Sequence, residues 1–182
     1  MNLSDCQNFD DFKKLAKKKL PSPIFHYIDG GSDDEITLKR NTEAFNSYDL
    51  IPSVLSDVSN VDMSTTVLGE KINFPLFPAA TAMHRLYHHE GERASAKAVE
   101  KVGTIFGLST MSTVSIEEIS KINKGPKLFQ LYIHKDRGLT DNLLERCKKA
   151  GFTSMCLTVD TVVAGNRAVS YTHLTLPTKR IV

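Results

Sequence analysis

Four short apolar runs set the strongest limit on how this chain can fold: Phe74 to Ala80, Thr104 to Ser109, Lys127 to Ile133 and Thr153 to Asp160. They begin about 23 to 30 residues apart, the length of one β-strand plus one crossover helix. The stretches between them have helical patterning. Glu90 to Val102 places Ala94, Ala98 and Val102 at helical spacing, and Gly103 follows as a stop. Ser115 and Glu118 have the spacing of a capping box, in which Ser115 accepts from the Glu118 N–H and Glu118 reaches back. Thr140 is placed to cap a helix carrying Leu143, Leu144, Cys147 and Ala150, stopped by Gly151. Each stop leads directly into the next strand. This alternation predicts a parallel α/β sheet, open or closed into a barrel.

Upstream, Phe9 to Leu20 reads as an amphipathic helix with Phe9, Phe12, Ala16 and Leu20 on one face. Pro21 and Pro23 end it, and the polar segment Asp29 to Glu35 follows with Gly30 and Gly31 for turning. The chain holds 23 Lys and Arg against 21 Asp and Glu among 182 residues. Lys179 and Arg180 carry that whole excess, so residues 1–167 are balanced and no nucleic-acid partner is expected. Three dispersed cysteines, Cys6, Cys147 and Cys156, fit neither a disulfide framework nor a zinc pattern and suit a reducing, cytoplasmic setting. The start, MNLSDCQNFDD, is too acidic for a signal peptide, and the most apolar stretch is broken by Pro75 and Pro78.

In parallel α/β folds the chemistry lies at the carboxyl ends of the strands. There the chain offers Ala80-Thr81-Ala82, then Leu108-Ser109-Thr110, then Gln130 with Tyr132, then Thr158 with Asp160. The strand period of two puts Gln130 and Tyr132 on one face, and likewise Thr158 and Asp160. Hydroxyls, an amide, a phenol and a carboxylate on one rim, with no paired acids, suit a heterocyclic cofactor with many polar edges. The plainer account is that strand ends meet polar loops in any such fold. His84 and His88 have helical zinc-pair spacing but no evident third ligand, so no metal is expected. No G-x-G-x-x-G, P-loop or nucleophile-elbow motif occurs.

Five segments, taken in order, resemble the FMN-dependent 2-hydroxy acid dehydrogenases and oxidases. They are Phe25-His-Tyr27-Ile-Asp-Gly-Gly31, Pro-Ala-Ala-Thr-Ala-Met (78–83), Leu-Ser-Thr (108–110), Phe-Gln-Leu-Tyr (129–132) and Leu-Thr-Val-Asp-Thr (157–161). The resemblance implies a TIM barrel, here N-terminal helices plus the first four βα units. It implies FMN as cofactor and a small 2-hydroxy acid as substrate, of the L-lactate or glycolate type. Ala80, Thr81 and Ala82 match the segment lining the flavin, and Ser109, Gln130 and Thr158 match side chains that contact its ring. Tyr27 and Arg167 match groups that hold the substrate carboxylate. Tyr132 matches the tyrosine beside the reacting hydroxyl, and Asp160 the carboxylate that orients a catalytic histidine. Met111 stands where the family varies the residue facing the substrate's side chain; core packing is an equal account of it.

The resemblance runs to Arg167. Residues 168–182 do not fit the family and resemble a translated sequencing adapter, so His173 is not taken for the catalytic base. The family's histidine, its flavin-side lysine and its phosphate site belong to the half not seen here. The expectation is therefore an active full-length parent that is a homo-oligomer, and a 182-residue chain with weak FMN binding and no turnover. Oxygen, a quinone or a cytochrome would serve as electron acceptor. Location is expected to be cytoplasmic, with peripheral attachment to the inner face of a membrane open through the unmatched half. Type 2 isopentenyl diphosphate isomerase, another FMN barrel, fits Tyr27, Tyr132 and Asp160 less well. A half-barrel acting as a binding or scaffold module is the alternative of a different class.

Overall fold

The computed structural model describes residues 2–161 and 165–167. The expected tail, residues 168–182, and His173 within it lie outside the described residues. The chain divides into two compact units, one holding described residues 2–55 and 165–167, the other residues 56–161.

The first unit is helical. Helix α1 spans Phe9–Lys19, started by Asn8, whose side chain accepts from the Asp11 N–H at 3.0 Å. Its buried residue is Leu15, whereas Phe9 and Phe12 of the predicted apolar face are exposed. Helix α2, Ser22–Asp29, meets α1 through two lysines: Lys13 pairs with Asp29 at 2.6 Å and Lys17 sits 5.8 Å from the ring centre of buried Phe25. The prolines that end α1 also open α2, since proline is tolerated in a helix's first turn. Helix α3, Ile36–Glu43, follows.

The second unit opens with a hairpin of β1, Thr65–Val67, and β2, Glu70–Ile72. A three-stranded parallel sheet follows in the order β3-β4-β5, made of Phe106–Ser109, Lys127–Leu131 and Ser154–Leu157. Helices α4 (Glu92–Val102), α5 (Ile116–Ile122) and α6 (Arg137–Lys149) precede these strands in turn. Gly103 after α4 and Gly151 after α6 have φ of 74° and 73°, as the predicted stops require.

Three of the four predicted strands are present, each shorter than its apolar run. The run from Phe74 to Ala80 is not a strand. It follows β3 in the parallel sense, with Asn73 N–H donating to the Gly103 carbonyl at 2.9 Å and Thr104 Oγ1 to the Leu76 carbonyl at 2.7 Å. Pro75 and Pro78 have no N–H to give to a ladder, and the Leu76 N–H turns back to Phe74. Further on, this segment comes so close to β3 that a Cβ on Gly107 would sit 3.1 Å from the Ala80 nitrogen. Glycine at 107 is what lets the two backbones pass.

One face of the sheet carries Phe106, Leu108, Phe129 and Leu131 onto Ala96, Val99, Ile116, Ile119 and Cys147 of the helices. Each large side chain buried this way contributes about 1.5 to 3 kcal/mol. Burial pushes the Cys147 thiol up to about 11. Lys127, buried where β4 begins, gives its ammonium to the Asn123 and Gly125 carbonyls at 3.1 and 2.8 Å. Burial lowers its pKa from the usual lysine range.

Two details of the helices differ from the sequence expectation. Ser115 Oγ accepts from the Glu118 N–H at 3.2 Å, but the Glu118 carboxylate goes to Arg93 rather than back to the cap. Asp136, not Thr140, starts α6, by accepting from the Gly138 and Leu139 amides. Thr140 is buried one turn in, where its hydroxyl accepts from the His134 N–H at 3.1 Å.

Candidate active site

The other face of the sheet carries the polar row. Register aligns Ser109 with Gln130 and Gln130 with Cys156, so Ser109, Gln130 and, two residues beyond Cys156, Thr158 share a face at the carboxyl end. They form one hydrogen-bonded chain. Ser109 Oγ donates to Gln130 Oε1 at 3.0 Å, and Gln130 Nε2 donates to Thr158 Oγ1 at 2.6 Å. Because Thr158 Oγ1 accepts from the amide, its own O–H is left to point elsewhere, and Gln130 keeps a second amide hydrogen. Ser109 and Gln130 are buried and Thr158 is half-buried, so these donors sit at the edge of the protein interior.

Thr110 extends the register past β3. Its hydroxyl donates to the Gln130 carbonyl at 2.6 Å and accepts from the Tyr132 N–H at 3.1 Å. That places Tyr132 just beyond β4, half-buried, lining with Ile133, Thr158 and Val159 a cavity of about 230 Å³. Asp160 is exposed, and Thr161 Oγ1 approaches its carboxylate at 3.4 Å. Met111 is half exposed, and its N–H donates to Ser109 Oγ at 3.2 Å. The loop of Ala80, Thr81 and Ala82 begins against β3 at Gly107, and Thr81 N–H turns back to the Ala79 carbonyl at 2.8 Å.

In the helical unit, Tyr27 and Arg167 are brought together across 140 positions. The guanidinium carbon lies 5.3 Å from the Tyr27 ring centre, and Nη1 donates to the Tyr27 carbonyl at 2.8 Å. Asn166 fastens this segment to Asp33 through a backbone bond at 2.8 Å and a side-chain bond at 3.0 Å. A planar, always-charged fork beside a phenol is suited to a carboxylate.

His84 and His88 are engaged otherwise than as a metal pair. His84 Nδ1 meets Ser95 Oγ at 3.2 Å, and His88 Nδ1 accepts from the Glu90 N–H at 3.2 Å. Among the described residues no three His, Cys, Asp or Glu side chains are grouped to hold a metal.

Sequence reasoning passed over Glu92. At the start of α4 it is 1% exposed and accepts from the Thr113 hydroxyl at 2.6 Å, the Thr113 N–H at 2.9 Å and the His84 N–H at 3.2 Å. Burial alone would raise its pKa, but the bonds from Thr113, its own amide and His84 outweigh it and hold the carboxylate below its usual range. The available signal was an acid directly after a glycine at the start of an Ala-rich helix, where negative charge is favoured.

The sequence profile of the FMN-dependent dehydrogenases matches residues 16–181. The chain belongs to that family. The match extends to residue 181, into the stretch that was expected to lie outside the family. Glycolate oxidase 1 of Oryza sativa subsp. indica is 43% identical over 165 residues, covering 91% of this chain and 45% of the relative. Among solved structures, the flavin-binding domain of baker's yeast flavocytochrome b2 superposes with a TM-score of 0.87 at 31% identity, covering 94% of this chain and 45% of that one. A soluble mutant of the membrane-associated (S)-mandelate dehydrogenase from Pseudomonas putida gives 0.85 at 34%, covering 93% and 48%. The chain thus spans about half the length of the FMN-dependent relatives it matches. Among the described residues no helix is long and apolar enough to cross a membrane.

The polar row fits the family's cofactor. Flavin rings present carbonyl oxygens and ring nitrogens along their edge, and Gln130 and Thr158 have donors to spare on one half-buried face. Ala80 and Ala82 add no bulk that would keep a flat ring from the backbone there.

Proposed function

We propose that this chain is the flavin-face half of an enzyme that oxidises a small (S)-2-hydroxy acid, of the L-lactate or glycolate type, to its 2-oxo acid. The hydrogen-bonded row Ser109–Gln130–Thr158 carries the reading, because it presents fixed polar side chains from three successive strand ends at the carboxyl end of a parallel sheet. FMN, when bound, supplies the acceptor for the hydride equivalent that leaves the substrate's Cα. Gln130 and Thr158 would hold the ring by its polar edge, and the Ala80–Ala82 backbone would line it. Tyr27 and Arg167 would hold the substrate carboxylate, with the guanidinium 5.3 Å from the centre of the phenol ring. Tyr132 would hydrogen-bond the substrate hydroxyl, its backbone fixed by Thr110. Asp160 would orient a histidine base and stabilise its protonated form. Met111 would face the substrate's side chain, where a flexible thioether accepts a small aliphatic group.

On its own the 182-residue chain is expected to bind FMN weakly and to lack turnover, since the family's base falls in the half it does not match. Titration of FMN, followed by quenching of flavin fluorescence, tests the row. The chain should bind, and Gln130→Leu should weaken binding about tenfold by removing the central donor. Equal affinity of the two proteins would overturn the reading. A yellow purified chain that L-lactate bleaches would overturn the expected lack of turnover.

A further inference from the structure

We infer that Glu92 is a positioning residue whose buried carboxylate locks together the two loops that border the polar row. The inference rests on reading that row as the flavin face. The first loop leaves Ala80–Ala82, passes Met83 in a left-handed conformation with φ of 55°, and enters the short 3-10 turn His84–Leu86. The second leaves β3 at Ser109 and runs through Met111 to Thr113. Beyond Thr110, whose N–H still donates to the Gln130 carbonyl, neither loop has a ladder to hold it. Glu92 supplies the fixed point from the start of α4, a helix seated in the core through Ala96 and Val99.

The links are continuous. One carboxylate oxygen accepts from both the His84 and Thr113 amides, at 3.2 and 2.9 Å, and so belongs to both loops at once. The other accepts from the Thr113 hydroxyl at 2.6 Å, and that hydroxyl oxygen accepts from the Arg85 N–H at 3.2 Å. Between these anchors and the row, Met83 N–H donates to the Met111 carbonyl at 3.2 Å. Met111 N–H then donates to Ser109 Oγ, which bonds Gln130, which bonds Thr158. A path of hydrogen bonds therefore runs from the Glu92 loops to every polar side chain of the row. A neutral amide in place of the carboxylate keeps the volume but removes the negative charge, and it reverses the bond with the Thr113 hydroxyl. The bonds that remain to the His84 and Thr113 amides join neutral groups and are about half as strong as charge-assisted ones, so the two loops are held less tightly.

Amide hydrogen exchange on the 182-residue chain, combined with FMN titration, tests the inference. In Glu92→Gln the amides of His84, Met111 and Thr113 should exchange at least about tenfold faster, while Leu108 and Phe129 in the sheet keep their rates. FMN affinity should fall about tenfold with them. Thr113→Val, which removes the bridging hydroxyl, should reproduce both effects if Glu92→Gln does not fold, and Thr113→Ser should restore both. Unchanged rates at His84 and Met111, or acceleration spread evenly through the sheet, would overturn the lock. Loosened loops with unchanged FMN affinity would overturn its positioning role. If the unaltered chain binds no FMN, the flavin reading itself falls, and the exchange pattern still decides the lock.

Discussion

Strands β3 and β5 belong to one sheet and have four residues each, yet every residue of β3 is buried while Met155, Cys156 and Leu157 of β5 are exposed. Composition does not separate them: Phe-Gly-Leu-Ser and Ser-Met-Cys-Leu are both apolar strand sequences. Neighbours do. β3 has β4 along one edge, the proline-bearing segment running beside it, and α4 and α5 on its apolar face. β5 pairs only with β4 among the described residues. A strand's burial is thus a property of what packs on it, and the same row of side chains contributes much or little to stability accordingly.

The sharpest way to break this contrast is chemical. Cys156 on β5 is exposed and Cys147 behind the sheet is buried, with its thiol held protonated up to about 11. A maleimide at neutral pH should label Cys156 faster than Cys147 by orders of magnitude, read by mass spectrometry. Similar rates would mean that the helix layer opens readily. Next in size, Leu108→Ala empties a site with 0% exposure and should cost about 2 to 5 kcal/mol in urea unfolding. Met155→Ala, at 51% exposure, should cost under about 1 kcal/mol. Comparable losses would show that β5 is covered in solution.

The smallest expected effect lies on the helix layer itself. Arg146 holds Glu117 bidentately, at 2.7 and 2.8 Å, and that bond lowers the Glu117 carboxyl to about 2. A carboxyl depressed on folding adds stability above its ordinary value, and loses it as pH falls from about 4.5 towards about 2. The pair is solvent-exposed, so its share stays below about 1 kcal/mol. Urea midpoints for the unaltered chain should drop more over that range than those of Glu117→Gln. Parallel acid profiles would show that the pair contributes nothing.

What could be read from the sequence follows the same division. Where local chemistry decides, it was legible: Ser115 caps α5, Gly103 and Gly151 follow helix ends, and Ser109, Gln130 and Thr158 were expected on the rim at the strands' carboxyl ends. Where neighbours decide, it was not. Hydrophobicity marked Phe74 to Ala80 as a strand, although two prolines deny it the donors a ladder needs. Helical spacing chose Phe9 and Phe12, but Leu15 is the buried residue of α1, and Lys13 and Lys17 meet α2. Thr140 had the chemistry of a cap, yet Asp136 lies closer to the free amides and took that place. Glu92 looked like one more charge on a helix. Only the fold shows three donors converging on it, one from a loop eight positions away and two from a loop 21 positions away.

The grip of Asn166 and Arg167 on Asp33 and Tyr27 has a consequence in time. The helical unit is made of two stretches of chain with all of residues 56–161 between them. On a ribosome adding about 5 to 20 residues per second, Tyr27 waits on the order of ten seconds for Arg167 to be made. The sheet's contacts are nearer in sequence and can form within that interval, so the order of synthesis favours the polar row first and the arginine–tyrosine contact last. Closing so long a loop is slow compared with the local steps before it. A newly made chain would then pass through a stage in which the sheet is built and Tyr27 still lacks its cation.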